Sequence, residues 1–88
     1  MEYDYPIDYT WSVEEMTDVI NFYVAVEQAY EQGIESAKLM DCYRKYTAIV
    51  DSKMAQKQYD KEFEAASGYS IYRTVQKAKD SAFVKMEK

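Results

Sequence analysis

The residues best equipped for chemistry lie in one run near the C-terminal end, Gly68-Tyr69-Ser70-Ile71-Tyr72-Arg73-Thr74-Val75-Gln76-Lys77. If Ser70 opens a helix, the unpaired backbone N–H groups of the first turn join its hydroxyl and the cations of Arg73 and Lys77. Such a set suits a phosphate or carboxylate. The same residues also make an ordinary helix cap, with Arg73 paired to an acid of an earlier helix. Tyr69, Ser70, Arg73 and Lys77 are thus the candidate binding residues. The stretch also invites a helix-turn-helix reading with the last helix in the DNA groove, but its register is poor. Glu64 stands where a small residue is wanted, and the apolar anchor, Val75, comes one position late.

Catalytic chemistry has little else to use. The chain has no His, which removes imidazole catalysis and imidazole metal sites. Its single Cys, Cys42, lies on the apolar side of a helix, where it serves as a small hydrophobe and lacks the flanking base a nucleophile needs. The carboxylates show no spacing that would hold two of them in a cleft with separated pKa values. There is no Gly-rich phosphate loop. We expect no catalytic residue, no cofactor and no metal.

Charge is divided along the chain. The first 37 residues hold nine acids and no Lys or Arg, while the remainder holds all eleven bases against seven acids, for a net charge of -5. The simplest expectation is that the two halves pack together with loosely paired surface charges. A dipolar molecule that meets an acidic partner or a second copy of itself is the alternative. Net acidity disfavours nucleic acid as a partner.

These groups need a scaffold, and 88 residues supply one domain, spanning 1–88. Two Gly and one Pro are too few for the turns of a many-stranded β-fold. Residues 1–11 alternate, with Tyr3, Tyr5, Ile7, Tyr9 and Trp11 on one face, so they read as an extended, Tyr-rich arm. Pro6 and the absence of a partner strand argue for an arm laid on helices rather than a sheet. Tyr3, Tyr5, Tyr9 and Trp11 are the candidate interface residues, whether the arm covers its own core or docks elsewhere.

Four helices follow. Ser12 and Glu15 form a capping box that starts a helix over 12–32, with Met16, Val19, Ile20, Tyr23, Val26 and Tyr30 inward and Gly33 as its stop. A second helix spans 36–50 on Leu39, Tyr43, Tyr46 and Val50, and a third spans 53–66 on Ala55, Tyr59, Phe63 and Ala66. With neither Gly nor Pro between them, these two are alternatively one kinked rod. The fourth spans 70–86, burying Ile71, Val75, Ala78 and Ala82 with help from Tyr72, Phe83 and Met86. The fold class is all-α: a compact array of four helices with the arm across it.

The segments Glu2-Tyr3-Asp4-Tyr5-Pro6, Trp11-Ser12, Phe22-Tyr23, Ala29-Tyr30-Glu31, Tyr43-Arg44-Lys45 and Asp60-Lys61-Glu62-Phe63-Glu64 are joined by Ser67-Gly68-Tyr69-Ser70-Ile71-Tyr72-Arg73 in a further pattern. Together they resemble a family of small uncharacterised proteins of Bacillus-type Gram-positive bacteria. The resemblance implies a cytosolic, all-helical, non-secreted protein and carries no assigned activity. The apolar runs are too short to span a bilayer, and nothing at the N-terminus resembles an export signal, so the expected location is the cytoplasm. The leading functional expectation is a small non-enzymatic interaction or adaptor module, as a homodimer or with another protein. The rival is an anion-binding protein using Ser70, Arg73 and Lys77, and DNA binding ranks last.

Overall fold

The computed structural model describes residues 5–87. The first helix, α1 (Val13–Glu31), begins at the expected capping box: Ser12 Oγ accepts from the Glu15 amide at 3.1 Å, and the Ser12 amide donates to Glu15 Oε1 at 2.8 Å. It ends at Gly33, whose φ of +96° is open to a residue without a Cβ. A short strand, β1 (Ile34–Glu35), leads into α2 (Ser36–Ile49), followed by α3 (Lys53–Ser67), α4 (Ile71–Asp80) and a second short strand, β2 (Phe83–Val84).

Helix α1 is the axis of the core. Val19, Phe22, Tyr23, Val26 and Ala29 are fully covered, together with Leu39 and Tyr46 of α2, Phe63 of α3, Ile71 and Val75 of α4, and Val84 of β2. Its buried face is wider than the expected stripe. Phe22, Ala25 and Ala29 are all buried, because three helices and the C-terminal strand surround it and no single flank faces them all.

Helices α2 and α3 are separate. Val50 leaves the helical region with ψ of 79°, Gln56 Nε2 donates back to its carbonyl at 2.7 Å, and Ser52 caps α3 through the Ala55 amide. The side chains thus make the break that neither Gly nor Pro provides. Of the expected inward stripe of α3 only Phe63 is fully buried; Ala55, Tyr59 and Ala66 are half-covered.

The C-terminal part of the chain departs from expectation. The fourth helix does not run to residue 86: it ends at Asp80, and Ser81 is already extended. Phe83 and Val84 pair antiparallel with Glu35 and Ile34, a strand pair the all-helical reading did not contain, while the arm itself joins no sheet. The reason is burial and hydrogen bonding together. Pairing covers Val84 completely, and Ser36, which has no side chain capping it from Glu35, donates its amide to the Ala82 carbonyl at 2.9 Å and its hydroxyl to the Ser81 carbonyl. The Met86 amide then donates to the Ala29 carbonyl at 2.8 Å, so the tail ties the end of α1 to the start of α2. Phe83, expected to help bury the fourth helix, is instead 52% exposed.

The arm lies on the helices, but its alternation stops early. Tyr5 stacks on Tyr23 at 5.5 Å and donates to Glu27 Oε1 at 2.7 Å, and the Tyr23 hydroxyl donates to the Pro6 carbonyl at 2.7 Å. Ile7 is half-buried, and Trp11 packs on Tyr59 at 5.5 Å. Between them Asp8 Oδ1 accepts from both the amide and the hydroxyl of Thr10, a side-chain turn that swings Tyr9 outward. Tyr9, expected on the inner face, is 82% exposed. Tyr3 lies outside the described residues.

Deleting residues 1–10 uncovers Tyr23 and strips its hydroxyl of an acceptor. We expect a loss of roughly 2 kcal/mol, or a fall of about 8–16 °C in Tm for a domain of this size. Calorimetry of the full and shortened chains checks this, and an unchanged midpoint means the arm adds nothing to the core.

Candidate functional site

At the start of α4 the structure builds a cap and staples it to α1. Ser70 Oγ accepts from the Arg73 amide at 3.1 Å, and its carbonyl accepts from the Thr74 hydroxyl. The Ser70 amide donates to Tyr30 Oη at 3.0 Å. Tyr69 stacks on Tyr30 at 4.4 Å and donates to Glu31 Oε2 at 3.1 Å. Burial and then the Glu31 carboxylate hold the Tyr69 hydroxyl above its ordinary pKa, so it remains a donor.

The bond to an acid of α1 is therefore made by Tyr69, whereas the sequence suggested Arg73. Arg73 and Lys77 are exposed, one turn apart on the same face, and among the described residues neither has an ion pair. The structure brings Tyr69 and Ser70 together through α1 and leaves Arg73 and Lys77 in solvent.

Of the expected pairing between the acidic and basic halves, the described residues make only Glu35–Lys38, local to the boundary between them. The ion pairs present, Glu35–Lys38, Asp41–Arg44 and Asp41–Lys45, are exposed and span a single helical turn.

The arm leaves a second feature. Between it and α3 runs an open groove of about 540 Å3, lined by Tyr5, Pro6, Ile7 and Tyr9 on one side and Glu62, Ala65 and Ala66 on the other. The two alanines are too short to fill the space beside the arm, which gives the groove an apolar floor, while Glu62 adds an acidic edge.

A third feature was not legible as a site. A more enclosed cavity of about 90 Å3 lies among α2, α3 and α4, lined by Tyr43, Tyr46, Asp60, Tyr72 and Lys79. Gln56, Gln76, Ile71 and Val75 complete its wall. Tyr46 is only 1% exposed, yet its hydroxyl makes no hydrogen bond with a described protein group, and neither does the buried Asp60 Oδ1. Burial pushes the Asp60 carboxyl up to about 6; Glu64 adds to the rise, and the nearby Tyr46 hydroxyl partly offsets it. Burial likewise holds the Tyr46 and Tyr23 hydroxyls far above the ordinary tyrosine range, so both stay protonated. The available signal was spacing: Asp60 follows Gln56 by four residues and precedes Phe63 by three, which puts a carboxylate at the edge of the inward stripe.

Cys42 is half-buried, and burial, then Asp41, push its thiol up, away from the reactive thiolate. Among the described residues no group of three or more His, Cys, Asp or Glu could hold a metal ion, and no helix is long and apolar enough to cross a membrane.

A small, mostly helical chain with three capped helix starts, an aromatic arm and a partly enclosed cavity is the class these observations define. The family model described as "Uncharacterised protein family (UPF0223)" matches residues 2–87, and the chain belongs to that family. It is 59% identical over 81 residues to a UPF0223 protein of Bacillus cytotoxicus, covering 92% of this chain and 91% of that one. A UPF0223 protein of Bacillus mycoides is 54% identical over 88 residues, covering 100% and 99%. One from Streptococcus mutans is 49% identical over 87 residues, covering 97% and 95%. The resemblance drawn from the Ser67–Arg73 stretch and its companions is thereby borne out, with members beyond Bacillus, and the family has no assigned function.

The folded state holds the Asp60 proton more tightly than the unfolded chain does. Through this group stability is highest below about pH 4, falls as pH rises, and levels off above about pH 6. Asp60→Asn is expected to be about 1 kcal/mol more stable than the parent at pH 7.5, solvent screening of this part-exposed group reducing the full effect of the shift, with the gap closing towards pH 4. Urea titrations of both proteins at the two pH values measure it; a variant less stable at pH 7.5 contradicts the assignment.

Proposed function

We propose that this chain is a cytoplasmic, non-catalytic interaction module that receives a partner polypeptide in the groove between its arm and α3. The observation that carries the reading is Tyr9, which stands 82% exposed at the lip of that groove while the neighbouring Tyr5 and Ile7 pack inward. Large rings that are held in place but left uncovered are the usual anchors of protein interfaces.

The charge pattern supports the same reading. Glu62 gives the groove an acidic edge, and its arm side belongs to the acid-rich first part of the chain, so a partner segment with apolar anchors flanked by Lys or Arg is the complement. A second copy meets that description through Arg73, Lys77 and Lys79 of its α4, which makes self-association one form of the proposal.

A photo-crosslinking residue placed at position 9 or 65 in cells of the native host tests it. We expect a discrete adduct from each position and none from a control at position 37, which is exposed on α2 and away from the groove lining. An adduct of twice the monomer mass identifies a second copy, and any other mass a different partner. Absence of adducts, or equal labelling at position 37, overturns the groove as the docking surface.

A further inference from the structure

We propose that the enclosed cavity among α2, α3 and α4 is a binding site for a small organic cation, an ammonium group bare or methylated, held by the Asp60 carboxylate among Tyr43, Tyr46 and Tyr72. The inference stands apart from the arm groove and does not depend on it.

Two buried oxygens meet at this space, and the nearby Tyr46 hydroxyl compensates the Asp60 carboxylate only in part. Tyr46 is 1% exposed with an unpartnered hydroxyl, and Asp60 Oδ1 is inaccessible and likewise unpartnered. Among the described residues no Lys or Arg nitrogen comes within 4.0 Å of the Asp60 carboxylate, although Lys79 stands in the cavity wall. A carboxylate with one oxygen inaccessible and no cation beside it is costly, so the site favours a positive guest. Tyrosine rings attract cations through their π-systems, and three of them line this cavity.

The other guests fit less well. An anion meets the carboxylate. A hard metal ion wants six or more oxygen ligands, whereas Ile71 and Val75 occupy part of this wall. A volume of about 90 Å3 accepts roughly three waters, or one head group of comparable size.

The groups facing Asp60 come from every surrounding helix. They are Tyr43 and Tyr46 of α2, Glu64 one turn along α3, Tyr23 of α1 and Lys79 of α4. The tyrosines stay protonated, so Asp60 is the group whose ionisation gates a cation near neutrality. Lys79 opposes the guest by like charge.

Titrating the full chain with methylammonium or tetramethylammonium chloride, against sodium chloride at equal ionic strength, tests the site through tyrosine ring resonances. At pH 7.5 we expect saturable shifts confined to rings 43, 46 and 72. Asp60→Asn weakens binding at least tenfold with a folded spectrum retained, Tyr72→Ala weakens it several-fold, and Lys79→Gln tightens it. Tyr72 is 67% exposed, so its removal leaves the core intact should the Asp60 variant fail to fold. Lowering the pH to 5.0 weakens binding about tenfold, since a carboxyl titrating near 6 is then mostly protonated. A peptide with one trimethyl-lysine, run beside the free amines, separates the sources: tighter peptide binding assigns a partner's side chain, and equal or weaker binding a free amine. Shifts matched by sodium chloride, or undiminished in both the Asp60 and Tyr72 variants, overturn the proposal and leave a water-filled cavity.

Discussion

The structure depends on one stack of rings. Tyr23 of α1 lies nearly parallel to Phe63 of α3 at 4.9 Å, with Tyr5 of the arm stacked on it from another side at 5.5 Å. Phe22 turns to the neighbouring flank and stacks on Tyr46 of α2 at 4.6 Å. Two adjacent residues of α1 thus hold three separate segments, so the core is built outward from one turn of one helix. Offset stacking of this kind adds to plain area burial, which a chain of 88 residues needs because so little of its surface can be hidden.

The same tyrosines explain why polar groups collect inside so small a core. A buried ring brings a hydroxyl with it, and each hydroxyl must find a partner. Tyr23 finds the Pro6 carbonyl, which fixes the arm; Tyr30 accepts the Ser70 amide, which fixes the start of α4. Tyr46 finds no such partner and shares its surroundings with Asp60. The tie between arm and core and the polar cavity therefore arise from one compositional choice. Whether the hydroxyl met a carbonyl or a void decided which became scaffold and which became a candidate site.

The short strand pair plays a different part. Two residues from each side make too few hydrogen bonds to stand alone, yet together with the Ser36 and Met86 bonds they close the chain's last segment over Ile34 and Ala29. That closure shortens α4 to ten residues and leaves Tyr72, Arg73, Gln76, Lys77 and Lys79 on its outer side. The polar face of α4 and the wall of the cavity are both consequences of where the tail turns back.

Local chemistry determined a great deal by itself. The Ser12–Glu15 capping box, the Ser52 and Ser70 caps, and the left-handed glycines at 33 and 68 act over three or four residues, so they place the helix starts and two of the stops wherever the chain goes. The membership of Tyr5 and Trp11 in the covered face of the arm follows from period-two spacing in the same way. What only the tertiary structure decided needs a partner distant in sequence. The end of α4 at Asp80 rests on Ile34 and Ser36, and the exposure of Tyr9 on a turn that the alternation pattern does not register. The burial of Asp60 Oδ1 rests on three helices meeting around it. A carboxylate at a helix edge looks the same in sequence whether water or protein lies beyond it; its energy, and any function it serves, comes from what packs opposite.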